Sequence, residues 1–154
     1  MKLSCALLLT NGDVFLAVIP TGRTNYDLPK GIHDVGESIT DTVVREIMEE
    51  TGVDLRRYRN QLEYMGRYKY LDDKNIALFV LVLDKLPPTS SMKCKSMFNY
   101  RGIPTPEVEG FRYISFDKLS GFKPQMVKII EDVREKIEIQ PLYHRINISK
   151  HRVF

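Results

Sequence analysis

The chain has 154 residues, of which 43% are apolar and 28% are charged, and its formal net charge is +3. This length and composition predict one folded domain with a sizeable core, and they exclude a disordered chain. The small positive charge suits anionic ligands such as nucleotides, but it does not by itself indicate a protein that binds duplex nucleic acid.

The two cysteines, Cys5 and Cys94, are far apart in the sequence and belong to no CxxC or Cys/His cluster. This pattern argues against a disulfide scaffold or a structural zinc site and favours reduced thiols. No apolar run approaches the length of a membrane span, and residues 6–9 are too few for a signal-peptide core. We therefore expect a cytoplasmic protein with no membrane partner.

Two strands are predicted at the start of the chain. Residues 3–10 form a mostly apolar run, residues 11–13 read Asn-Gly-Asp, and residues 14–19 form a second apolar run. Because Asn-Gly is typical of tight turns between paired strands, we expect a hairpin here. Residues 20–26 contain proline and glycine and predict a loop.

A helix of about four turns is predicted after this loop. Ser38 is a suitable N-cap, and Asp41 stands three residues later in the capping-box position. The helix should then run to Thr51 and stop at Gly52, since glycine is the usual residue at a helix C-terminus.

The second half of the chain predicts three further strands and one helix. Residues 62–71 and 76–83 read as strands joined at Asp-Asp-Lys-Asn, and residues 109–116 read as another strand. Residues 85–106 predict a long loop of the kind that is often functional or mobile. A C-terminal amphipathic helix is predicted by an apolar stripe of Met126, Ile129, Ile130, Val133 and Ile137. The pattern as a whole is mixed α/β.

The predicted helix after Ser38 carries a dense group of carboxylates. Glu46, Glu49 and Glu50 fall within an arc of about 100°, beside an apolar arc of Val43, Val44 and Ile47. Glu46 and Glu50 are i,i+4 neighbours of like charge, which destabilises an isolated helix. Oxygen ligands at this density suit hard divalent cations such as Mg²⁺ or Mn²⁺. The alternative interpretation is an acidic face that only contacts solvent.

The spacing of these residues extends beyond the carboxylates themselves. A single pattern, G-x5-E-x7-R-E-U-x-E-E-x-G-U with U bulky and aliphatic, is matched at every constrained position by Gly31, Glu37, Arg45, Glu46, Ile47, Glu49, Glu50, Gly52 and Val53. In this respect the chain resembles the Nudix hydrolase family, whose members carry this pattern as the Nudix box.

The resemblance implies a fold and an activity. Nudix hydrolases form an α/β/α sandwich with a mixed β-sheet between helices, and we expect residues 1–154 to form one such domain with a basic tail from about residue 140. The resemblance also implies an Mg²⁺-dependent pyrophosphohydrolase, with Mn²⁺ as the other candidate cofactor. Its substrate would be a nucleoside diphosphate linked to a further group.

The resemblance also assigns roles within the box. Glu46, Glu49 and Glu50 would be the metal ligands, and Gly31 would lend its carbonyl oxygen. Arg45 would hold the carboxylates in orientation. Glu37 stands where the family has its first conserved glutamate, close either to the metal or to the arginine.

Markers outside the box bear on the substrate. The proline typical of ADP-ribose enzymes and the array typical of NADH enzymes are both missing. Diadenosine polyphosphate hydrolases often have a tyrosine sixteen to eighteen residues after the box, and Tyr70 follows Val53 by seventeen. We expect Tyr70 to share a strand face with Tyr68 and Tyr64, where a base can stack. The alternative is that these are ordinary strand tyrosines.

The segment at 105–119 resembles one that related enzymes place opposite the box, where a loop glutamate is an additional metal ligand or the general base. The matching residue is Glu107, with Glu109 as second candidate and Glu49 also open for the role of base. A flexible acidic loop residue is the alternative.

Several basic residues are candidates for binding phosphate. Lys30 and Arg23 can reach phosphate oxygens, although either could be a plain surface cation.

The three histidines, His33, His144 and His151, do not have the spacing of metal ligands. The basic tail at 144–154 could contact RNA or dock on the domain.

The sequence therefore predicts hydrolysis of diadenosine polyphosphates, as in the small bacterial and bacteriophage members of the family, with ADP-ribose and FAD as further substrates. An enzyme acting on the RNA 5′ end is the first alternative. A non-catalytic nucleotide-sensing module is the second, and the intact box argues against it. The sequence leaves monomer and homodimer equally open.

Overall fold

The computed structural model describes residues 2–152, with side chains for residues 2–138. Its strands are β1 Lys2–Thr10, β2 Val14–Pro20, β3 Lys30–Ile32, β4 Glu63–Leu71, β5 Lys74–Val82, β6 Met97–Tyr100, β7 Ile103–Pro106 and β8 Val108–Ser115. Its helices are α1 Ile39–Thr51 and α2 Pro124–Arg152, with short 3₁₀ turns at Leu55–Gln61 and Thr89–Ser91. None of these helices is long and apolar enough, within the described residues, to cross a membrane.

Six strands form one mixed sheet in the order β4-β5-β1-β2-β8, with β3 paired to β1. The central pair, β1 and β5, is parallel over its whole length, and the other pairings in this sheet are antiparallel. Since a parallel central pair is covered on both faces, the near-continuous apolar runs of β1 and β5 are what this position requires.

The two faces of the sheet bury two separate cores. On β1, Cys5, Leu7 and Leu9 pack toward the face covered by α1, where Val43 and Ile47 are also buried. Alternate residues of the same strand pack toward the face covered by α2. The predicted α/β/α sandwich with a mixed sheet is confirmed.

The predicted hairpin of β1 and β2 is present, but its two strands separate soon after the turn. They pair at Thr10 and Phe15 next to the turn. Further along, the first half of β1 pairs with β3 instead, while β2 pairs with β8 along its length. This divergence opens a gap in the sheet beside β3.

Helix α1 begins and ends where the sequence predicts. The Ser38 side chain accepts a hydrogen bond from the backbone N–H of Asp41, at 3.0 Å. At the other end, Gly52 adopts a left-handed conformation with φ of 79°, which favours glycine over other residues. The helix is thereby fixed in length, and its glutamates take fixed positions.

Helix α2 buries Met126, Ile129, Ile130 and Val133 as predicted, with Ile137 partly buried beside them. Its backbone extends to Arg152, so the region predicted as a basic tail continues the helix. The side chains from residue 139 onward, including His144 and His151, lie outside the described ones, as do residues 153 and 154.

The prediction of a long loop at 85–106 is wrong in its second half, where β6 and β7 form a hairpin with its own two-stranded sheet. Arg101 and Gly102 both have positive φ, 52° and 84°, which is the geometry of a two-residue hairpin turn. Arg-Gly is a weaker turn signal than Asn-Gly, and the flanking prolines favoured a loop.

The prediction that Tyr64, Tyr68 and Tyr70 share one face of β4 is wrong for Tyr64. The pairing of β4 with β5 is irregular between Tyr64 and Gly66, so the alternation of side chains shifts there. Tyr64 packs against Phe79 in the core on the α1 side, whereas Tyr68 and Tyr70 belong to the core on the α2 side.

Replacing Ser38 with alanine removes the N-cap acceptor of α1. We expect Ser38→Ala to lower the free energy of unfolding by about 1 kcal/mol, measured by urea denaturation. Ser120→Ala, at an exposed serine outside the helices, is the control and should change it by less than about 0.5 kcal/mol. Equal effects of the two substitutions would contradict a role for the cap.

Candidate active site

A cavity of about 390 Å³ lies where β1 and β2 diverge. Ser4 of β1 and Val18 of β2 form part of its wall. Seven of the residues predicted for the site also line it, namely Arg23, Lys30, Gly31, Glu46, Glu50, Tyr70 and Glu107. Residues that are scattered through the sequence are therefore brought together at one opening.

Glu50 is the most enclosed carboxylate of the cavity, with 7% of its surface exposed. Its Oε1 accepts a hydrogen bond from the backbone N–H of Lys30, at 3.2 Å. Burial raises the pKa of Glu50 to about 8, and the Lys30 ammonium only partly opposes this effect. The site therefore stabilises a neutral Glu50 unless additional positive charge enters.

Glu46 lies against Gly31 at the same opening. A Cβ at position 31 would stand 1.9 Å from Glu46 Cδ, so any side chain there would displace the carboxylate. Burial raises the pKa of Glu46, while its ion pair with Arg45, at 2.7 Å, opposes the shift. Glycine at position 31 is thus required by close approach and not by a turn.

Glu107 approaches from the opposite side, at the junction of β7 and β8. Its charge contributes to the raised pKa of both Glu46 and Glu50. The backbone N–H of Glu107 donates to the carbonyl of Ser96, at 3.0 Å. Glu109, the second candidate from the sequence, is exposed and does not line the cavity.

Arg45 is the centre of an ion-pair network beside the cavity. Its guanidinium lies 2.7 Å from Glu37, 2.7 Å from Glu46 and 3.3 Å from Asp34. The bonds from Arg45 and from the Thr42 hydroxyl lower the pKa of Glu37 to about 2. Glu37 and Arg45 do not line the cavity, and this geometry suits a role in orienting Glu46 and not direct contact with a ligand.

Glu49 does not line the cavity; 44% of its side chain is exposed, and one carboxylate oxygen lies 3.6 Å from Arg45. Its backbone carbonyl, in contrast, accepts hydrogen bonds from the N–H groups of Lys95 and Ser96. Of the three glutamates predicted as metal ligands, the structure brings two to the cavity and leaves Glu49 at its outer edge.

Asp27 is a cavity residue that the sequence analysis missed. It forms an ion pair with Lys30, and its Oδ1 accepts the backbone N–H of Leu28, at 2.9 Å. Burial alone would lower the pKa of Lys30, but the charge and hydrogen bond of Asp27 raise it overall. The ammonium lies 5.9 Å from the centre of the Tyr70 ring. The position of Asp27 three residues before Lys30 is the feature of the sequence that could have indicated this ion pair.

Tyr70 lines the cavity but is largely a core residue, since only 7% of its surface is exposed. It packs in the α2-side core with Met65 and Ile76. Only part of its ring is therefore available to a ligand. The predicted stacking role competes with this packing role.

The donor set of the cavity fits a hard divalent cation. Glu46, Glu50 and Glu107 offer oxygen ligands, and burial raises the pKa of the first two, so a bound cation would stabilise their charged forms. Across residues 2–138, no three His, Cys, Asp or Glu side chains already converge as a metal cluster. Glu46 forms an ion pair with Arg45, and Glu50 accepts a hydrogen bond from the Lys30 N–H. Each carboxylate therefore already has a partner within the protein.

Comparisons with known proteins agree with this architecture. The structure of an ADP ribose pyrophosphatase fused to an NMN adenylyltransferase from Francisella tularensis, complexed with AMP and a Mn ion, superposes with a TM-score of 0.68 at 17% identity. It aligns with 88% of this chain and 41% of its own, so the chain spans about two fifths of that protein. The NUDIX domain of Shewanella oneidensis NrtR, complexed with ADP ribose, gives 0.64 at 18% identity over 88% and 87%.

A third structure, the E. coli dihydroneopterin triphosphate pyrophosphohydrolase, has a TM-score of 0.63 at 13% identity, covering 84% of this chain and 92% of its own. Comparison with curated protein sequences gives no match. The model of the NUDIX domain family matches residues 2–134, from the start of β1 into α2, and includes every residue of the cavity. The chain belongs to the NUDIX domain family.

Proposed function

We propose that this chain is a metal-dependent pyrophosphohydrolase that cleaves the pyrophosphate linkage of a nucleoside diphosphate joined to a further group. The observation that carries the proposal is the convergence of Glu46, Glu50 and Glu107 on one cavity. The same cavity is lined by four cationic residues, namely Arg23, Lys30, Lys74 and Lys123. Carboxylates alone would repel a polyphosphate, so this combination suits a substrate that arrives with a divalent metal.

Each residue predicted for the site then has a role. Glu46 and Glu50 would hold the metal, with the carbonyl of Gly31 as a further oxygen ligand, and Glu49 would join them by rotating inward from its exposed position. Bound Mg²⁺ or Mn²⁺ would neutralise phosphate oxygens and lower the pKa of a coordinated water. Lys30 and Arg23 would bind phosphate oxygens, and Arg45 would keep Glu46 and Glu37 in orientation.

Glu107 is our candidate for the general base. It is exposed, faces Glu46 and Glu50, and its backbone is fixed on both sides by hydrogen bonds. A carboxylate at the rim can accept a proton from water without being locked in an ion pair. Glu109 and Glu49 are less suited, because neither lines the cavity.

The substrate we propose is a diadenosine polyphosphate, and its support is Tyr70 at the cavity wall together with the spacing of Tyr70 from the box. ADP-ribose is the second candidate, because one of the matched structures is an ADP ribose pyrophosphatase and another is complexed with ADP ribose. We further propose a reducing cytoplasmic environment, because Cys5 and Cys94 are buried free thiols.

A substrate panel tests this proposal. Diadenosine polyphosphates, ADP-ribose, FAD, NADH and RNA with capped or triphosphorylated 5′ ends would be incubated with Mg²⁺ or Mn²⁺, and the products separated by chromatography. Cleavage of a pyrophosphate bond in the small substrates is the expected result. Cleavage of RNA ends alone would favour the RNA alternative, and binding without cleavage would favour a sensing module.

Glu50→Gln keeps the size of the side chain and removes its charge. We expect turnover to fall by two orders of magnitude or more, as when metal-site electrostatics are removed. Glu135→Gln, at an exposed position of α2, should leave turnover unchanged. Near-wild-type turnover of Glu50→Gln at saturating Mg²⁺ would contradict the proposed metal site.

Glu50→Gln should also change the way in which stability depends on pH. The pKa of Glu50 is raised in the folded protein, so deprotonation favours the unfolded chain. Without metal, stability should therefore fall as the pH rises from about 4.5, the ordinary value for glutamate, to about 8. Thermal unfolding in EDTA should show this loss in the wild type and a smaller loss in Glu50→Gln, and Mg²⁺ should restore stability above pH 7 in the wild type only.

Glu107→Gln tests the proposed base separately. We expect turnover to fall by about 10²-fold with little change in KM, because the amide cannot accept the proton. Glu109→Gln is a matched control two residues along the same segment, and it should stay within threefold of the wild type. A small effect at Glu107 with a large one at Glu109 would reverse the assignment.

Tyr70→Ala tests the substrate class. We expect lower thermal stability, since the ring is buried, and a rise in KM that is larger for diadenosine tetraphosphate than for ADP-ribose. Tyr70→Phe should behave as wild type in both respects. Tyr68→Ala, on the same core face but outside the catalytic cavity, should affect both substrates equally. Equal penalties for the two substrates at Tyr70 as well would make it a core residue only.

A further inference from the structure

The β6–β7 hairpin is joined to the rest of the molecule by backbone hydrogen bonds at its base. On one side, the N–H groups of Lys95 and Ser96 donate to the carbonyl of Glu49, at 2.6 and 3.2 Å. On the other side, the Glu107 N–H donates to Ser96, and the Glu107 carbonyl accepts the N–H of Thr21, each at 3.0 Å. Glu107 is therefore the point where the hairpin meets the loop at 20–26.

A second contact joins the same two segments near the hairpin tip. The Tyr100 ring lies against Gly22, where an added Cβ would stand 3.0 Å from Tyr100 Cε2 and 3.1 Å from its hydroxyl. Gly22 also has a positive φ of 75°. Within the described residues, Tyr100 belongs to none of the three apolar clusters. Its ring also lies near Phe98, at 5.7 Å between ring centroids, and near the Arg101 guanidinium, at 5.2 Å, but both of these residues belong to the hairpin itself.

The contact has a physical consequence at the cavity. Glu107 lines the same cavity as Glu46 and Glu50, and repulsion from whichever of the two is ionised favours its movement outward. The backbone hydrogen bonds of Glu107 oppose that movement, and so does the bond from the Thr21 hydroxyl to the Pro106 carbonyl, at 2.7 Å. A hairpin fixed at its base alone could pivot about Glu107, whereas a hairpin also held at Gly22 could not.

We propose that Tyr100 is a positioning residue, which by packing on Gly22 locks the β6–β7 hairpin against the 20–26 loop and so holds Glu107 in the cavity. The inference rests on the proposed function and on the role of Glu107 in it.

The test is a double-mutant cycle with Tyr100→Ala and Glu107→Gln, followed by hydrolysis of diadenosine tetraphosphate and of ADP-ribose with Mg²⁺. Tyr100→Ala should lower kcat about tenfold, with a change in KM of less than threefold and an unchanged midpoint of thermal unfolding. In the Glu107→Gln background, the same substitution should change kcat by less than twofold, because the group that it positions is gone. Tyr100→Phe should retain wild-type kcat, since the packing uses the ring.

Met97→Ala is the matched control, because Met97 lies in the same hairpin, on the opposite face from Tyr100, and is 52% exposed. It should leave kcat unchanged. Equal effects of Tyr100→Ala in both backgrounds, or no effect in the wild type while Glu107→Gln is impaired, would overturn the inference and leave the proposed function standing. Full activity of Glu107→Gln would remove the role of Glu107, and the inference with it.

Discussion

Repulsion among carboxylates that share one cavity is the constraint on which the rest of this structure depends. Glu46, Glu50 and Glu107 come from two separated parts of the chain, and burial makes the charged form of the first two costly. Such a group persists only if the backbone around each member is fixed independently. Capping fixes α1 at both ends, the close approach of Gly31 shapes the space for Glu46, and hydrogen bonds to Ser96 and Thr21 fix Glu107.

The sheet provides the opening that these residues need. A continuous pairing of β1 with β2 would close the gap in which the cavity lies, and β3 instead takes the place of β2 along the first half of β1. The parallel pair of β1 and β5 keeps the central strands rigid, since both of their faces are buried. A stable sheet and an open site are therefore compatible because the separation is confined to one pair of strands.

The sequence predicts those features whose causes are local. The caps of α1, the buried strands and the stripe of α2 each follow from residues within a few positions of one another. The exposure of each glutamate on α1 does not follow from nearby residues in this way. Glu49 is exposed beside Arg45, whereas Glu50 is enclosed by Lys30 and Asp27, which lie before the helix in the sequence. The bulge that separates Tyr64 from Tyr70 and the turn at Arg101 and Gly102 were also missed, since both depend on backbone angles that several residue types can adopt.

The independence of the β6–β7 hairpin has a consequence for engineering. Within residues 2–152, its strands pair only with one another, so no strand pairing of the main sheet depends on it. Its two turn residues, Arg101 and Gly102, can therefore be varied or exchanged for those of another protein, while the two cores and the glutamate helix stay as they are. Any replacement that preserves the attachment points at Ser96 and Glu107, together with the contact of Tyr100 on Gly22, would keep the carboxylate in register with the cavity. The hairpin turn is thus a segment that can be redesigned without rebuilding the fold.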